Sequence, residues 1–311
     1  MDASPNPDKR PDSRGAAFGR TGLASRSLST LGLWATVIGI CVWGNPWGFT
    51  ILIGGLAILG TWEFHAIARR AGLLPMGRFG VMGALAYTIV LYALLLRGNE
   101  EASHLLDGMA ITLFAGLAFF LHMGRPVDGQ RPVVSLSVAI MGFIYLAFGM
   151  NFTGRLVFFD YSGAGQPPGA WLALWLVAVT KFTDMGAYLV GTAIGRTKLI
   201  PHISPGKTRE GLLGALLFSQ IAACGLYAAF PGHLALLGSW VHVVVLGLVL
   251  ASASVIGDLA ESLLKRSLAI KDSGHALPGI GGVLDLIDSV IFTAPILYFY
   301  LHWLHHPVHL S

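Results

Sequence analysis

The chain has 311 residues, of which 54% are hydrophobic and only 12% charged, and its mean hydropathy is +0.68. That excludes an ordinary soluble globular domain, in which about a quarter of the residues are charged. A net charge of +4 without any basic-aromatic module argues against a nucleic-acid partner. The two cysteines, Cys41 and Cys224, both sit in apolar runs and read as small core hydrophobes, not as a disulfide framework.

Residues 1–28 are rich in Pro, Ser, Gly and Arg, the composition of a disordered basic tail. An apolar run from about 31 to 44 follows. It resembles a secretory leader, but the next residues, NPWG, lack a small-x-small cleavage site and a second apolar run begins at once. An uncleaved first membrane helix is the expectation. Spanning a bilayer takes about 20 mainly apolar residues. Runs of that kind fall near 29–44, 48–64, 79–96, 106–121, 133–150, 169–191, 211–230, 235–258 and 286–304. The predicted fold is therefore all-α: a polytopic integral membrane protein with about nine transmembrane helices, forming one domain over 29–311. The first two runs admit a re-entrant pair instead of two spans.

Lys and Arg in the connections indicate orientation. With the N-terminus inside, seventeen of the twenty fall on the inner side, and only Arg97 and Arg155 lie in outer connections, beside Glu100, Glu101, Asp107 and Asp160. The expectation is a cytoplasmic N-terminus in a cell (inner) membrane. Two polar stretches, 192–210 and 259–285, then face the cytoplasm, where a soluble nucleotide would meet them.

The first informative stretch is KFTDMGAYLVGTAIGRTKLIPHISPGKTREG, residues 181–211. Lys181, Asp184 and Tyr188 fall at offsets of three and seven, one face of a helix. Charge inside a bilayer is expensive and by default marks a functional pocket; the alternative is a buried Lys181–Asp184 ion pair that only fixes packing. Ser204, Lys207 and Thr208 precede a new helix, whose N-terminal amides favour anions.

The second stretch, 258–289, places Asp258, Glu261, Ser262 and Lys265 on one helical stripe, and Asp285, Asp288 and Ser289 at the start of the next helix. Between them KDSGHALPGIGG carries four glycines and one proline and must form a tight connection with exposed amides. Carboxylates on two helix ends, joined by a loop with cations and bare amides, suit a metal–polyphosphate complex.

Both stretches resemble the phosphatidate cytidylyltransferase (CDP-diacylglycerol synthase) family. Ser262, Lys265, Arg266, Lys271, Asp272, Gly274, Pro278, Gly279, Gly281, Gly282, Asp285 and Asp288 match its long signature in spacing. Ile280 stands where the family has His, and Leu286 where it has Arg. Asp184, Ala187, Tyr188, Gly191, Gly195, Ser204, Pro205, Lys207, Thr208, Glu210 and Gly211 match a second motif, in which Arg209 replaces the usual Trp. Trp62-Glu63-Phe64 is similar to a minor family feature.

The resemblance implies transfer of the CMP moiety of CTP to phosphatidic acid, giving CDP-diacylglycerol and pyrophosphate. Such a step joins two anions, so divalent cations and fixed Lys or Arg groups must relieve the repulsion. Asp258, Asp285 and Asp288 are the expected Mg²⁺ ligands, with Asp184 a fourth candidate. Lys265, Arg266, Lys271 and Lys207 are the expected phosphate contacts. Tyr188, Ser204, Ser262, Asp272, Gly279, Gly281 and Gly282 complete the expected substrate site.

Blander readings stay open for some of these. Asp285 suits a helix N-cap, Arg266 an interface charge, and the glycines a plain turn. The alternatives to the whole reading are a CTP-dependent polyprenol or phytol kinase and, from another class, a transporter or non-catalytic membrane protein. A bundle with 40 glycines also permits a homodimer. His302, His305, His306 and His309 invite a metal reading, but they sit on the predicted outer face and read as an interfacial tail.

Overall fold

The computed structural model describes residues 31–73, 76–124, 126–270, 274 and 281–305. The expectations for the N-terminal tail and for Lys271, Asp272, Gly279 and Ile280 lie outside these residues.

The chain is an all-α polytopic membrane protein. Among the described residues, eight helices are long and apolar enough to cross a bilayer. In chain order the helices are α1, whose described residues are Leu31–Trp43, α2 (Pro46–Arg70), α3 (Gly77–Leu95), α4 (Glu100–Met123), α5 (Arg131–Gly142), α6 (Gly149–Val157), α7 (Ala170–Ile194), α8 (Arg209–Ala229), α9 (Trp240–Ser267) and α10 (Val283–His305). A π-helical turn, Phe143–Phe148, joins α5 and α6, so that Arg131–Val157 is one continuous rod. Helices are what a lipid-embedded chain must form, because every amide there needs an internal partner. Their starts are set by side chains. Asn45 accepts from the Trp47 amide at 2.9 Å with Pro46 as the first helical residue. Asn99 accepts from the Ala102 amide at 3.1 Å, and Thr208 from the Gly211 amide at 3.0 Å.

Two differences from the sequence reading have clear physical causes. The fifth span was expected to end near 150, where polar residues begin, yet helix continues to Val157. Its polar side chains find partners inside the bundle: Asn151 Nδ2 donates to Thr88 Oγ1 at 3.1 Å and Arg155 Nη2 to Asp107 Oδ1 at 2.7 Å. Arg155 is therefore no outer-loop charge but one of the largest fully buried side chains. Residues 198–208, within the polar connection read as leading into a new helix, form an antiparallel hairpin of β1 (Lys198–Ile200) and β2 (Ser204–Thr208), with Lys198 opposite Thr208 and Ile200 opposite Ser204.

The core surrounds α10, whose Ile287, Ala294, Leu297, Tyr298 and Leu301 are fully buried. Small residues bring backbones together around it. A Cβ on Gly257 of α9 would lie 2.8 Å from the Asp288 carbonyl oxygen, so α9 and α10 touch main chain to main chain beside the site. Gly186 of α7 and Gly214 of α8 are packed against each other's carbonyl oxygens in the same manner.

Candidate functional site

Five elements converge at one end of the bundle. These are the end of α2, the second half of α7, the β-hairpin, the second half of α9 and the start of α10. The stripes anticipated from the sequence fix which side chains they present. Turns of α9 place Asp258, Glu261 and Lys265 on one face, and α10 presents Asp288 toward it, one turn inside its N-terminus.

Carboxylate oxygens of Asp258, Glu261 and Asp288 all lie within 4.8 Å of one another. Glu261 is 3% exposed and Asp288 6%, so this is concentrated negative charge in a place where charge is expensive. Cations ring it. Lys207 Nζ, from β2, is 2.6 Å from Asp258 Oδ2, and Lys265 Nζ is 3.1 Å from Glu261 Oε1 and 2.9 Å from Asp285 Oδ1. Lys181 Nζ sits 3.6 Å from Asp184 Oδ2 and donates to the Leu286 carbonyl oxygen at 3.4 Å. Three hard oxygen donors gathered this closely match the donor set of Mg²⁺.

Asp285 stands beside this cluster, hydrogen-bonded to Glu261. Its Oδ2 accepts from the Gly282 amide at 3.0 Å while Oδ1 takes Lys265. It thus closes the α10 N-terminus in the manner of a capping box and orients a lysine. Gly281, at φ +118° with Asp285 Oδ2 2.9 Å from where its Cβ would be, has a backbone that only glycine adopts easily. Glu63 of α2 reaches the same place: its Oε2 accepts from the Leu284 amide at 2.8 Å, across 221 residues of sequence.

Of the other expected site residues, Asp184, Tyr188, Ser204, Lys207 and Asp258 line one cavity of about 390 Å³ between α7, the hairpin and α9. Ser262 is half-buried on α9, and Arg266 is exposed one turn further on. The geometry also brings in three residues absent from the expected set. Glu261 lay on the predicted stripe but was not named among the expected ligands. Lys181 was visible as an intramembrane charge. Glu63 had only the Trp-Glu-Phe likeness to signal it.

A second cavity, of about 250 Å³, reaches the site at Lys181 and Asp285. Its walls are apolar, with Trp34, Ile40, Phe49, Leu52 and Leu56 among them, and its polar end is formed by Lys181 and Asp285. Leu286, at the family's arginine position, contributes to the apolar wall. Lys181 thus lines the apolar slot and lies 3.6 Å from Asp184, which lines the polar pocket.

Fold and site together define a polytopic membrane protein with a cation-compatible carboxylate cluster at one end of its bundle. The chain belongs to the cytidylyltransferase family, whose sequence profile matches residues 24–304. It is 33% identical over 293 residues to the phosphatidate cytidylyltransferase of Haemophilus influenzae, covering 89% of this chain and 98% of that one. The Synechocystis phosphatidate cytidylyltransferase is 32% identical over 281 residues, covering 82% and 88%. That of Brucella suis is 34% identical over 275 residues, covering 88% and 89%.

Proposed function

We propose that the chain transfers the cytidylyl group of CTP to phosphatidate, giving CDP-diacylglycerol and pyrophosphate, at a site facing the cytoplasm in the cell membrane. The observation that carries this reading is the position of Lys181, which lines the apolar slot and pairs with Asp184 of the polar pocket, with the carboxylate cluster alongside. A lipid phosphate needs the first, a nucleotide triphosphate the second, and their union needs both in line. Family membership and the names of the relatives support the same substrates. The inner-side excess of Lys and Arg supports the orientation.

In the reaction an oxygen of the phosphatidate phosphate attacks the α-phosphorus of CTP, and the bond to the β-phosphate oxygen breaks, releasing pyrophosphate. The phosphate is already largely ionised near neutral pH, with a second pKa around 6, so no strong base is required. Asp258, Glu261 and Asp288 would hold Mg²⁺, which when bound neutralises charge on the triphosphate. Lys207, ion-paired to Asp258 and lining the polar pocket, is placed to exchange that carboxylate for a CTP phosphate. Lys181 is placed to hold the lipid phosphate. Lys265, fixed by Glu261 and Asp285, supplies positive charge without moving. The walls of Leu286, Ile287 and Val290 exclude water from the lipid side.

The homodimer belongs to the same proposal. Only Ser103, Phe114 and Ala118 of α4 are buried, so a second copy has an open apolar helix to cover. Disulfide cross-linking of Leu113→Cys between copies in membranes tests it.

The reaction is tested with Asp288→Asn in membranes. The variant should keep its helix content and lose CDP-diacylglycerol formation. Undiminished turnover would remove the carboxylate cluster from the chemistry.

A further inference from the structure

The opposite end of α10 carries a second constellation that cytidylyl transfer does not use. Glu100 and His104 lie one turn apart at the start of α4, and His302 lies in the last turn of α10. One donor atom from each falls within 4.8 Å of the other two. Asp288 and His302 are fourteen residues apart on one helix, which is about 21 Å of axial rise. The two clusters are therefore at opposite ends of the bundle.

We propose that Glu100, His104 and His302 form a binding site for a zinc-class divalent ion that ties α4 to α10. Two imidazoles and one carboxylate, leaving a fourth position for water, are a donor set that suits zinc better than magnesium. A tetrahedral ion with ligand bonds of about 2.1 Å sets donor–donor edges of about 3.4 Å. Closing the present spacing takes less than an ångström of movement from each side chain, within side-chain rotation.

The surroundings hold the ligands in place. Tyr298 OH lies 3.0 Å from both Glu100 Oε1 and His104 Nε2, and it remains available as an outer-sphere donor to the carboxylate. The His302 ring lies nearly parallel to the Tyr298 ring at 6.1 Å and edge-on to His104 at 5.6 Å. From below, buried Arg155 grips the same turn of α4, donating to Ser103 Oγ at 2.6 Å, Ser103 O at 2.8 Å and Asp107 Oδ1 at 2.7 Å. That grip fixes the rotation of α4 so that Glu100 and His104 face α10. The Glu100 and His104 side chains are 35% and 38% exposed, leaving an entry path. His305 is separate, its Nε2 lying 2.7 Å from the Leu236 carbonyl oxygen.

The test uses tag-free full-length protein in detergent with excess Mg²⁺ to occupy the carboxylate cluster. Zn²⁺ is titrated in competition with a chromophoric chelator, and Co²⁺ in parallel for its visible absorption. One tight equivalent is expected, with a tetrahedral or five-coordinate Co²⁺ spectrum. His104→Ala and His302→Ala should each weaken it at least about 100-fold, the upper end of what loss of even an outer-sphere partner does, while Glu261→Gln leaves it unchanged. Absence of tight binding, or binding that survives His104→Ala, overturns the proposal. His104 is half-exposed on α4, so that variant alone suffices if His302→Ala does not fold.

Discussion

Glu261→Gln separates a cation-binding cluster from an ordinary ion-pair network, because the two readings predict opposite signs. Glu261 lies within 4.8 Å of carboxylate oxygens on both Asp258 and Asp288. At an effective dielectric of about 20, each such pair repels by about 3.5 kcal/mol, or about 7 kcal/mol together. Its attraction to Lys265, at 3.1 Å, is about 5 kcal/mol on the same scale. Asp285, hydrogen-bonded to Glu261, adds further repulsion, so removing the charge relieves at least about 2 kcal/mol of net repulsion, before any saving in desolvation. Lys265 keeps Asp285 at 2.9 Å. Without Mg²⁺ the variant should be as stable as the parent or more so.

Added cation should reverse that order. At a concentration one hundred times the dissociation constant, an ion stabilises the parent by about 2.7 kcal/mol. If the variant binds about 100-fold more weakly, the same concentration adds only about 0.4 kcal/mol. Thermal unfolding in detergent with and without Mg²⁺, alongside turnover, reads both effects. A variant that is destabilised without Mg²⁺, yet keeps the full Mg²⁺ response and full turnover, would show that Glu261 serves only to anchor Lys265.

The remaining predictions follow from single contacts. Lys207→Met removes the cation between Asp258 and the polar pocket, and kcat/KM for CTP should fall about 10- to 100-fold, or about 1.4 to 2.7 kcal/mol; an unchanged value would place the triphosphate elsewhere. Leu56→Trp fills the apolar slot and should raise KM for long-chain phosphatidate more than for a short-chain analogue, with KM for CTP unchanged. Arg155→Met leaves Asp107 partly buried without its partner and should destabilise the protein by about 3 to 5 kcal/mol, read as lost yield and lower thermal stability, while folded molecules retain turnover. Gly186→Val drives a side chain into the Gly214 main chain and should destabilise by about 1 to 3 kcal/mol or more, measured by thermal unfolding.

Most of the site was legible because membrane sequences make polar residues conspicuous. The offsets of Asp258, Glu261 and Lys265, and of Lys181 and Asp184, read directly as helical stripes, and α7, α9 and α10 present them so. What spacing could not show was how Asp285 and Glu261 are arranged relative to Asp288. Both are on the right faces, but only the crossing of α9 over α10 at Gly257 puts Glu261 beside Asp288, with Asp285 meeting Glu261, Lys265 and the Gly282 amide. Glu63 was out of reach because its partner, Leu284, is 221 residues away. Arg155 was misplaced for the same kind of reason: hydropathy treats a polar residue as a span end, whereas Ser103 and Asp107 of another helix satisfy it. The hairpin carries too short a pattern to announce itself, and Pro205 within β2 argues against a strand unless it lies at an edge.

The most direct test of the account is product analysis with the purified chain, Mg²⁺, phosphatidate and CTP labelled at either the α- or the γ-phosphate. The account predicts that the α-label enters a lipid-soluble CDP-diacylglycerol and the γ-label leaves as pyrophosphate. Transfer of the γ-label to lipid would show a kinase instead. No label in lipid from either position, with the protein folded, would contradict the assignment of CTP and phosphatidate to the two cavities linked by the Lys181–Asp184 pair.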